Sequence, residues 1–217
     1  MQIEWKIDKE EISLEESVKF MEKRNRDIIE KKANNLIWFT SHPSLYTAGI
    51  SAKDSDLLNP KIPVFKTNRG GKYTYHGPGM QIIYIMMDLK ELFSPNRPDI
   101  SKFINLLENW VINSLDKCSI KGEIRKDRVG IWVKNNHSEE KIAAIGIKLK
   151  KWVTYHGIAI NINPNLEYFN DIIPCGIKEF GVTSMEKLGA KIDKEKFQKI
   201  LQEEFLKLVY KPHFGEY

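Results

Sequence analysis

A glycine-rich run at residues 69–79 constrains the fold of this chain more than any other part of its sequence. It reads Arg-Gly-Gly-Lys-Tyr-Thr-Tyr-His-Gly-Pro-Gly and lies between two apolar stretches. Glycine permits positive φ angles and lets a backbone approach a ligand closely. An ordinary hairpin needs a turn of only about two to five residues, so a long hairpin without a function is the weaker alternative. The run predicts a backbone wrapped around a ligand, with polar contacts from Arg69, Tyr75 and His76.

Length, hydropathy and charge exclude several classes of protein. The 217 residues suffice for one large domain with a complete core. The apolar runs are too short to span a membrane and no targeting leader is visible, so we expect a cytoplasmic protein without membrane contact. The net charge is +5, but only six of the 34 basic residues are arginines, the residue favoured for bidentate contact with phosphate and bases. The charge indicates a lysine-rich composition without a function, or attraction to acidic protein partners, before it indicates nucleic acid.

The cysteines, histidines and glycines lack the spacings of common ligand motifs. The two cysteines and five histidines show neither C-x-x-C nor H-x-x-x-H, so we expect no metal site. Neither G-x-G-x-x-G nor G-x-x-x-x-G-K-[ST] occurs, so a nucleotide phosphate site of either common type is not supported.

Hydrophobic periodicity predicts an α+β fold. The predicted strands are 2–7, 36–40, 64–67, 81–89, 129–133, 142–149 and 153–162. Helices are predicted after a capping box at Ser13 and Glu16, around 103–115 and from about Asp193. Segments 41–60 and 163–182 are predicted to be irregular. Because strict βαβ alternation is missing, we expect one domain over residues 1–217 with a mixed, mostly antiparallel sheet. The strand-rich middle belongs to that domain or forms a lobe of it.

Cys175 is a candidate nucleophile. It stands between a proline and a glycine in an irregular segment, where reactive side chains are often placed, although a lone cysteine is weak evidence and a structural role remains open. Cys118 lies at the end of an amphipathic helix and has the pattern of a packing residue.

A cysteine nucleophile needs a partner that stabilises its thiolate. His76 and His156 are candidates, and so is Lys141. This lysine begins the run Lys-Ile-Ala-Ala-Ile-Gly, whose other members are small or apolar, so it is expected to be partly desolvated. The alternative is a lysine at a strand end that reaches water.

Small residues in two neighbouring strand patterns indicate the wall of a pocket. Ala143 and Ala144 lie in one pattern, and the run Tyr-His-Gly-Ile-Ala at 155–159 lies in the next. Small side chains on paired strands leave room for a slender apolar ligand. Close packing of a helix on those strands would explain the pattern equally well.

Several short motifs then occur in a fixed order. They are His42-Pro43, Tyr46-Thr47-Ala48-Gly49, Arg69-Gly70-Gly71, Thr74-Tyr75-His76-Gly77-Pro78-Gly79, Gly130-Ile131-Trp132-Val133, Lys141-Ile142-Ala143-Ala144-Ile145-Gly146, Tyr155-His156-Gly157, Asn161-Ile162, Pro174-Cys175-Gly176-Ile177 and Gly181-Val182-Thr183-Ser184. In this order and spacing the chain resembles the lipoyl(octanoyl) transferases, or octanoyl-[acyl-carrier-protein]:protein N-octanoyltransferases, from roughly Leu36 to Leu188. One departure is that Met80 follows Gly79, where the family usually continues H-G-P-G-Q, and the glutamine falls at Gln81.

The resemblance implies a fold like that of the biotin and lipoate protein ligases, with a large mixed sheet, a smaller second sheet and flanking helices. It implies that an octanoyl group passes from a thioester on acyl carrier protein to Cys175, with Lys141 as the activating partner. The group then passes to a lysine ε-amine of a lipoyl domain. The implied acyl site consists of Arg69, Gly70, Gly71, Lys72, Tyr73, Thr74, Tyr75, His76, Ala144, Ile145, Gly146, Gly157, Ile158 and Ala159.

The resemblance also implies the partners. The acyl donor is octanoyl-acyl carrier protein, and the acceptors are the lipoyl domains of 2-oxoacid dehydrogenase complexes and the glycine cleavage H protein. Transfer of an acyl group from one sulfur to another is nearly thermoneutral and requires no ATP, so no cofactor is expected. The expected oligomeric state is a monomer. Two rival functions stay open at this point. One is an ATP-dependent lipoate or biotin ligase of the same fold, and the other is a non-enzymatic module that binds acyl carrier protein or fatty acyl chains.

Overall fold

The computed structural model describes residues 1–126, 128–135, 138–173 and 180–210, with the backbone alone at position 135. Its strands are β1 (Ile3–Ile7), β2 (Asn35–Thr40), β3 (Leu45–Ala48), β4 (Val64–Lys66), β5 (Tyr73–His76), β6 (Met80–Met86), β7 (Glu123–Arg125), β8 (Arg128–Asn135), β9 (Ser138–Lys150), β10 (Val153–Asn161) and β11 (Gly181–Val182). Its helices are α1 (Leu14–Ile29), α2 (Leu89–Leu92), α3 (Ile100–Asp116) and α4 (Lys194–Tyr210).

The large sheet is mixed and mostly antiparallel, as predicted. Its strand order is β1-β2-β6-β10-β9-β8-β7, and β11 pairs with β9. The pairs β1–β2 and β9–β11 are parallel, whereas the other pairs are antiparallel. The predicted fold class is confirmed.

The small sheet, in the order β4-β3-β5, corrects two expectations. Segment 41–60 was expected to be irregular, yet β3 lies within it as the central strand of this sheet. The glycine-rich run was not among the predicted strands, yet β5 occupies four of its residues. Strands this short give too few residues for a periodic signal. Consequently the two apolar stretches beside the run, β4 and β6, belong to different sheets and do not pair with each other.

Two apolar layers cover the two faces of the large sheet. On one face, α3 and α4 pack on the strands through a cluster that includes Trp110, Leu201 and Phe205. On the other face, α1 and the small sheet pack through a second cluster that includes Met21, Trp38 and Tyr46. Helix α1 begins at the predicted N-cap, where the Ser13 hydroxyl accepts a hydrogen bond from the backbone N–H of Glu16. The small sheet therefore packs on the same face of the large sheet as α1.

Among the residues that the structure describes, none of the helices combines the length and the apolar character that a membrane span would need.

Candidate active site

A cavity of about 240 Å³ lies between the large sheet and the small sheet. Strand β5 and the glycine-rich run border one side, and β6, β9 and β10 border the other. The predicted site residues that line it are Lys141, Arg69, Gly71, Lys72, Tyr73, Thr74, His76, Ala144, Ile145, Gly146, Gly157, Ile158 and Ala159. The structure therefore brings three segments together that are far apart in the sequence.

Two cross-strand pairs of small residues form part of the cavity wall. Ala144 pairs with Ala159 and Gly146 with Gly157 across β9 and β10. A Cβ atom on Gly157 would lie 2.1 Å from a carbonyl oxygen of β6, and one on Gly146 would lie 2.8 Å from the carbonyl oxygen of Gly70. Neighbouring backbones approach these positions too closely for a side chain. Because α3 and α4 pack on the opposite face of the sheet, packing of those helices does not account for the small residues.

A β-bulge places Lys141 on the same side of the sheet as this wall. In a regular strand, Lys141 and Ala144 would face opposite sides, since they are three positions apart. Here Ile131 of β8 pairs with Ala143, but the next residue, Trp132, pairs with Lys141. One step along β8 thus corresponds to two along β9, which is the signature of an extra residue in β9. As a result, Lys141 and Ala144 both line the cavity.

Lys141 is buried, with 5% of its surface exposed. Its Nζ donates to the carbonyl oxygen of Val129 at 3.3 Å and lies 4.6 Å from the centroid of the Trp132 ring, within the range of a cation–π interaction. The expected desolvation of this lysine is confirmed, and the alternative of a side chain that reaches water is wrong. The amino group of Lys141 therefore lies in the wall of the cavity, beside the ring of Trp132.

Two histidines line the cavity, and both are held in the neutral form. Burial lowers the pKa of His76 to about 3, and the neighbouring His42 and the charge of Arg69 act in the same direction. Burial also lowers the pKa of His156 to about 4, again with help from Arg69. Neither histidine carries a charge at neutral pH, so neither supplies the cation that a thiolate needs. Of the three candidate partners considered from the sequence, Lys141 fits that requirement best.

His42 supports the cavity from behind. Its Nδ1 donates to the carbonyl oxygen of Ile12 at 2.6 Å, so its Nε2 accepts the hydroxyl proton of Tyr84 at 2.6 Å. The ring also stacks on His76 with 5.8 Å between centroids. Burial lowers the pKa of His42 and raises the pKa of Tyr84. This network of neutral rings fixes Tyr84, which lines the cavity.

Two arginines flank the cavity in different ways. Arg69 is 8% exposed, and its Nη2 donates to the carbonyl oxygen and the hydroxyl of Thr47 at 2.6 and 2.7 Å, which joins the glycine-rich run to β3. Arg128 lies near Lys141, with its guanidinium 4.5 Å from the Trp132 ring and 3.8 Å from the Phe180 ring. The end of the cavity around Lys141 is therefore cationic and aromatic.

Some predicted residues do not line the cavity. The Tyr75 side chain packs in the core instead, because its hydroxyl is bonded to Ser44 at 2.9 Å and its ring stacks on Tyr168. Gly70 acts through its backbone, donating to the carbonyl oxygen of Ile147 at 3.0 Å. Cys175 lies outside the described residues.

Sequence reasoning also missed residues of the wall. They are Leu14, Thr47, Thr67, Met80, Ile82, Tyr84, Arg128, Val129, Asn161, Phe169 and Val182. The alternation of Met80, Ile82 and Tyr84 directly after the glycine-rich run could have revealed that β6 faces the ligand. Gln81 points the other way and accepts a bond from Gln198 of α4 at 2.7 Å, so the residue after the family's usual glutamine position has a structural partner.

Comparison with known proteins identifies relatives along almost the whole chain. The family model described as the lipoyl protein ligase A/B catalytic domain matches residues 13–206. An octanoyltransferase of Wolbachia pipientis subsp. Culex pipiens (strain wPip) is 52% identical over 205 residues, which cover 94% of this chain and 98% of the relative. An octanoyltransferase of Wolbachia sp. subsp. Brugia malayi (strain TRS) is 50% identical over 206 residues, with 95% and 99% covered.

Solved structures share the fold at much lower sequence identity. A lipoate-protein ligase A bound with ATP superposes with a TM-score of 0.68 at 14% identity, over 95% of this chain and 86% of that one. A biotin protein ligase from Aquifex aeolicus in complex with biotin and ATP gives a TM-score of 0.54 at 15% identity, over 96% and 72%. At this identity the likeness concerns the fold alone, and it confirms the predicted architecture. The resemblance noted from the motifs is confirmed as well, and the chain belongs to the lipoyl protein ligase A/B catalytic-domain family.

Proposed function

We propose that this protein is an octanoyltransferase of lipoate biosynthesis, which moves an octanoyl group from acyl carrier protein to a lysine of a lipoyl domain. The observation that carries the proposal is the cavity, whose wall of paired small residues ends at the buried ammonium of Lys141. The octanoyltransferases that share about half of its residues over nearly its full length support the same reaction. The two rival functions have no comparable support.

The cavity suits a slender acyl chain. The pairs Ala144–Ala159 and Gly146–Gly157 remove side-chain bulk along two adjacent strands, while Met80 and Ile82 add apolar surface. Each buried methylene contributes about 0.8 kcal/mol of transfer free energy. A saturated chain would therefore bind through burial, while its thioester carbonyl remains at the polar end.

Cys175 is the proposed nucleophile. Its thiolate attacks the thioester carbonyl of the donor, the tetrahedral intermediate collapses, and the thiolate of the carrier leaves, so that one thioester replaces another. The described chain on both sides of this residue supports the assignment. Phe169 and Val182 both line the cavity, and Val182 pairs with Lys141 in the parallel ladder of β11 and β9. Residue 175 is six positions after Phe169 and seven before Val182 in the sequence, so described segments on both sides of it contribute to the cavity wall.

Lys141 is the proposed activating residue. Its ammonium stabilises the Cys175 thiolate before the first transfer, as an adjacent cation does for other cysteine nucleophiles. In the second transfer the neutral amine of the acceptor lysine attacks the acyl-enzyme, the amide bond forms, and Cys175 leaves as a thiolate. The carrier thiolate that leaves in the first transfer takes a proton from the Lys141 ammonium, and the neutral Lys141 that results is the proposed acceptor of the proton lost by the attacking amine.

The charge of the protein fits the proposed partners. Acyl carrier protein is the proposed donor, and the lipoyl domains of 2-oxoacid dehydrogenase complexes and the glycine cleavage H protein are the proposed acceptors. All are acidic proteins in the family's reaction, and a net charge of +5 would attract them at low ionic strength. Their encounter rates should therefore fall as salt increases. The cytoplasmic location stays a prediction.

Intact-mass analysis tests the proposal directly. The protein is incubated with octanoyl-acyl carrier protein and a lipoyl domain, with and without ATP. We expect a covalent octanoyl adduct and acceptor octanoylation without ATP, and loss of both in Cys175→Ser. Cys118→Ser is the matched control, because Cys118 packs against the core beside α3 and should retain the activity. Strict dependence on ATP would support the ligase instead, and donor binding without turnover would support the non-enzymatic module.

A further inference from the structure

One peptide group beside Lys141 is hydrogen-bonded on both of its sides. The carbonyl oxygen of Val129 accepts from Nζ of Lys141 at 3.3 Å. The N–H of the same peptide, which belongs to Gly130, donates to Oε1 of Glu108 at 3.3 Å. The C=O and N–H of a trans peptide point in opposite directions within one plane. The peptide therefore connects helix α3 on one face of the sheet with the cavity on the other.

We propose that Glu108 is a positioning residue for Lys141, because it fixes the plane of the 129–130 peptide and so directs the Val129 carbonyl at the lysine ammonium. The inference rests on the proposed role of Lys141 in acyl transfer. Glu108 does not touch the substrate and acts only through this peptide.

Glu108 is placed as such a role requires. It is 5% exposed on α3, and a carboxyl group that deep is costly without a hydrogen-bond donor. Burial raises its pKa, while the bond from Gly130 opposes that shift. The buried carboxyl group of Glu108 therefore accepts its hydrogen bond from the same peptide that binds Lys141.

Gly130 makes the arrangement possible. Its φ angle of +119° is strained for any other residue. A Cβ atom there would lie 2.6 Å from the carbonyl oxygen of Ala143 and 3.5 Å from Nζ of Lys141. Glycine therefore lets β8 turn its amide towards Glu108 while leaving space for the lysine side chain. A second bond at the N–H also polarises the peptide and strengthens the bond that its carbonyl accepts.

Two substitutions of Glu108 separate this role from simple packing. Glu108→Gln keeps the shape and an oxygen acceptor, so the single-turnover rate of enzyme octanoylation should stay within about threefold of the wild-type rate. Glu108→Met fills the same space without an acceptor, and the rate should fall roughly tenfold, as expected for one lost positioning bond. Octanoate affinity, measured by calorimetry, should be unchanged in both variants. Glu204→Met is the matched control, because Glu204 is equally buried on α4 and pairs with Lys207 away from the cavity.

A double-mutant cycle gives a readout that packing alone does not produce. In a Lys141→Ala background, Glu108→Met should slow the residual octanoylation no further. An equal loss in both backgrounds would overturn the proposal, and so would a wild-type rate in Glu108→Met. If Glu108→Met does not fold, Glu108→Asp is used instead, because its side chain is one methylene shorter and its carboxylate lies farther from the Gly130 N–H. An unchanged rate in Glu108→Asp would then overturn the proposal. Failure of the proposed function would be distinct, because the wild type itself would form no adduct.

Discussion

Filling the small-residue wall should change which acyl chain the enzyme accepts. Ala159 pairs with Ala144 across β10 and β9, lines the cavity and is 5% exposed. Ala159→Leu adds three carbon atoms to a cavity of about 240 Å³. If these displace three methylenes of an octanoyl chain, the loss at about 0.8 kcal/mol each is roughly 2.4 kcal/mol. That corresponds to a decrease of about 50-fold in kcat/KM for the octanoyl donor.

A pentanoyl donor, shorter by those three carbons, should lose little. The assay is therefore the ratio of kcat/KM for octanoyl and pentanoyl donors, measured by mass spectrometry of the acyl-enzyme. A ratio of two donors cancels any loss of activity that affects both donors equally. Overpacking by the larger side chain is expected to cost about 1–3 kcal/mol of stability, and this cost is measured separately by thermal melting. Ala190→Leu is the matched control, since Ala190 packs on the α3 and α4 side of the sheet. An octanoyl-to-pentanoyl ratio equal to that of the wild type in Ala159→Leu would refute the assignment of this wall to the acyl chain.

Three further predictions concern charge and backbone packing. Lys141→Ala should slow enzyme octanoylation by roughly 100-fold or more with octanoate affinity unchanged, as read by rapid-quench mass spectrometry and calorimetry; an unaltered rate would assign activation to another residue. Gly157→Ala should lower the unfolding free energy by roughly 1–3 kcal/mol, because its Cβ would meet a β6 carbonyl oxygen at 2.1 Å; the loss is read from urea titrations as a lower midpoint, and a wild-type midpoint would contradict the close strand approach. His156 has a pKa near 4 when folded against about 6.5 when unfolded, so its contribution to stability is complete above pH 6.5 and is lost as the pH falls towards 4. His156→Gln should therefore reduce the slope of unfolding free energy against pH by about 1.4 kcal/mol per unit in that window, and an unchanged slope in urea titrations would contradict the neutral histidine.

The elements that the sequence predicted well are those with strong local patterns. Helix α3 has a long apolar stripe, and β9 and β10 are long and rich in β-branched and small residues. The small residues in the β9 and β10 patterns indicated a pocket wall, but the pattern alone could not separate it from close packing of a helix, and the structure shows that these residues line the cavity. Periodicity over many residues is informative because each residue adds to the same signal.

The elements that the sequence did not reveal depend on tertiary pairing. Strand β3 has only four residues and is identified by its partners β4 and β5. The bulge in β9 exists only relative to β8, where Trp132 meets Lys141 instead of Ile142, so no alternation along β9 alone could predict it. For the same reason, the sequence suggested a desolvated lysine but not the ring and the carbonyl that hold it. Glu108 illustrates this limit best, because nothing in the sequence around it indicates a function, and its proposed role depends on its hydrogen bond to Gly130 of β8.

The distribution of charge in the cavity follows from these packing relations. Burial and the fixed cation of Arg69 keep His76 and His156 neutral, so both of these cavity-lining histidine rings are uncharged at neutral pH. By contrast, the bulge brings an ammonium onto the cavity face and Trp132 holds it at 4.6 Å. An acyl thioester has the same asymmetry, with an apolar tail and a carbonyl that becomes negatively charged during attack. In the proposed reaction, an acyl tail bound along the small-residue wall would have its carbonyl directed towards Lys141, because the register of β8 and β9 places this lysine on the cavity face.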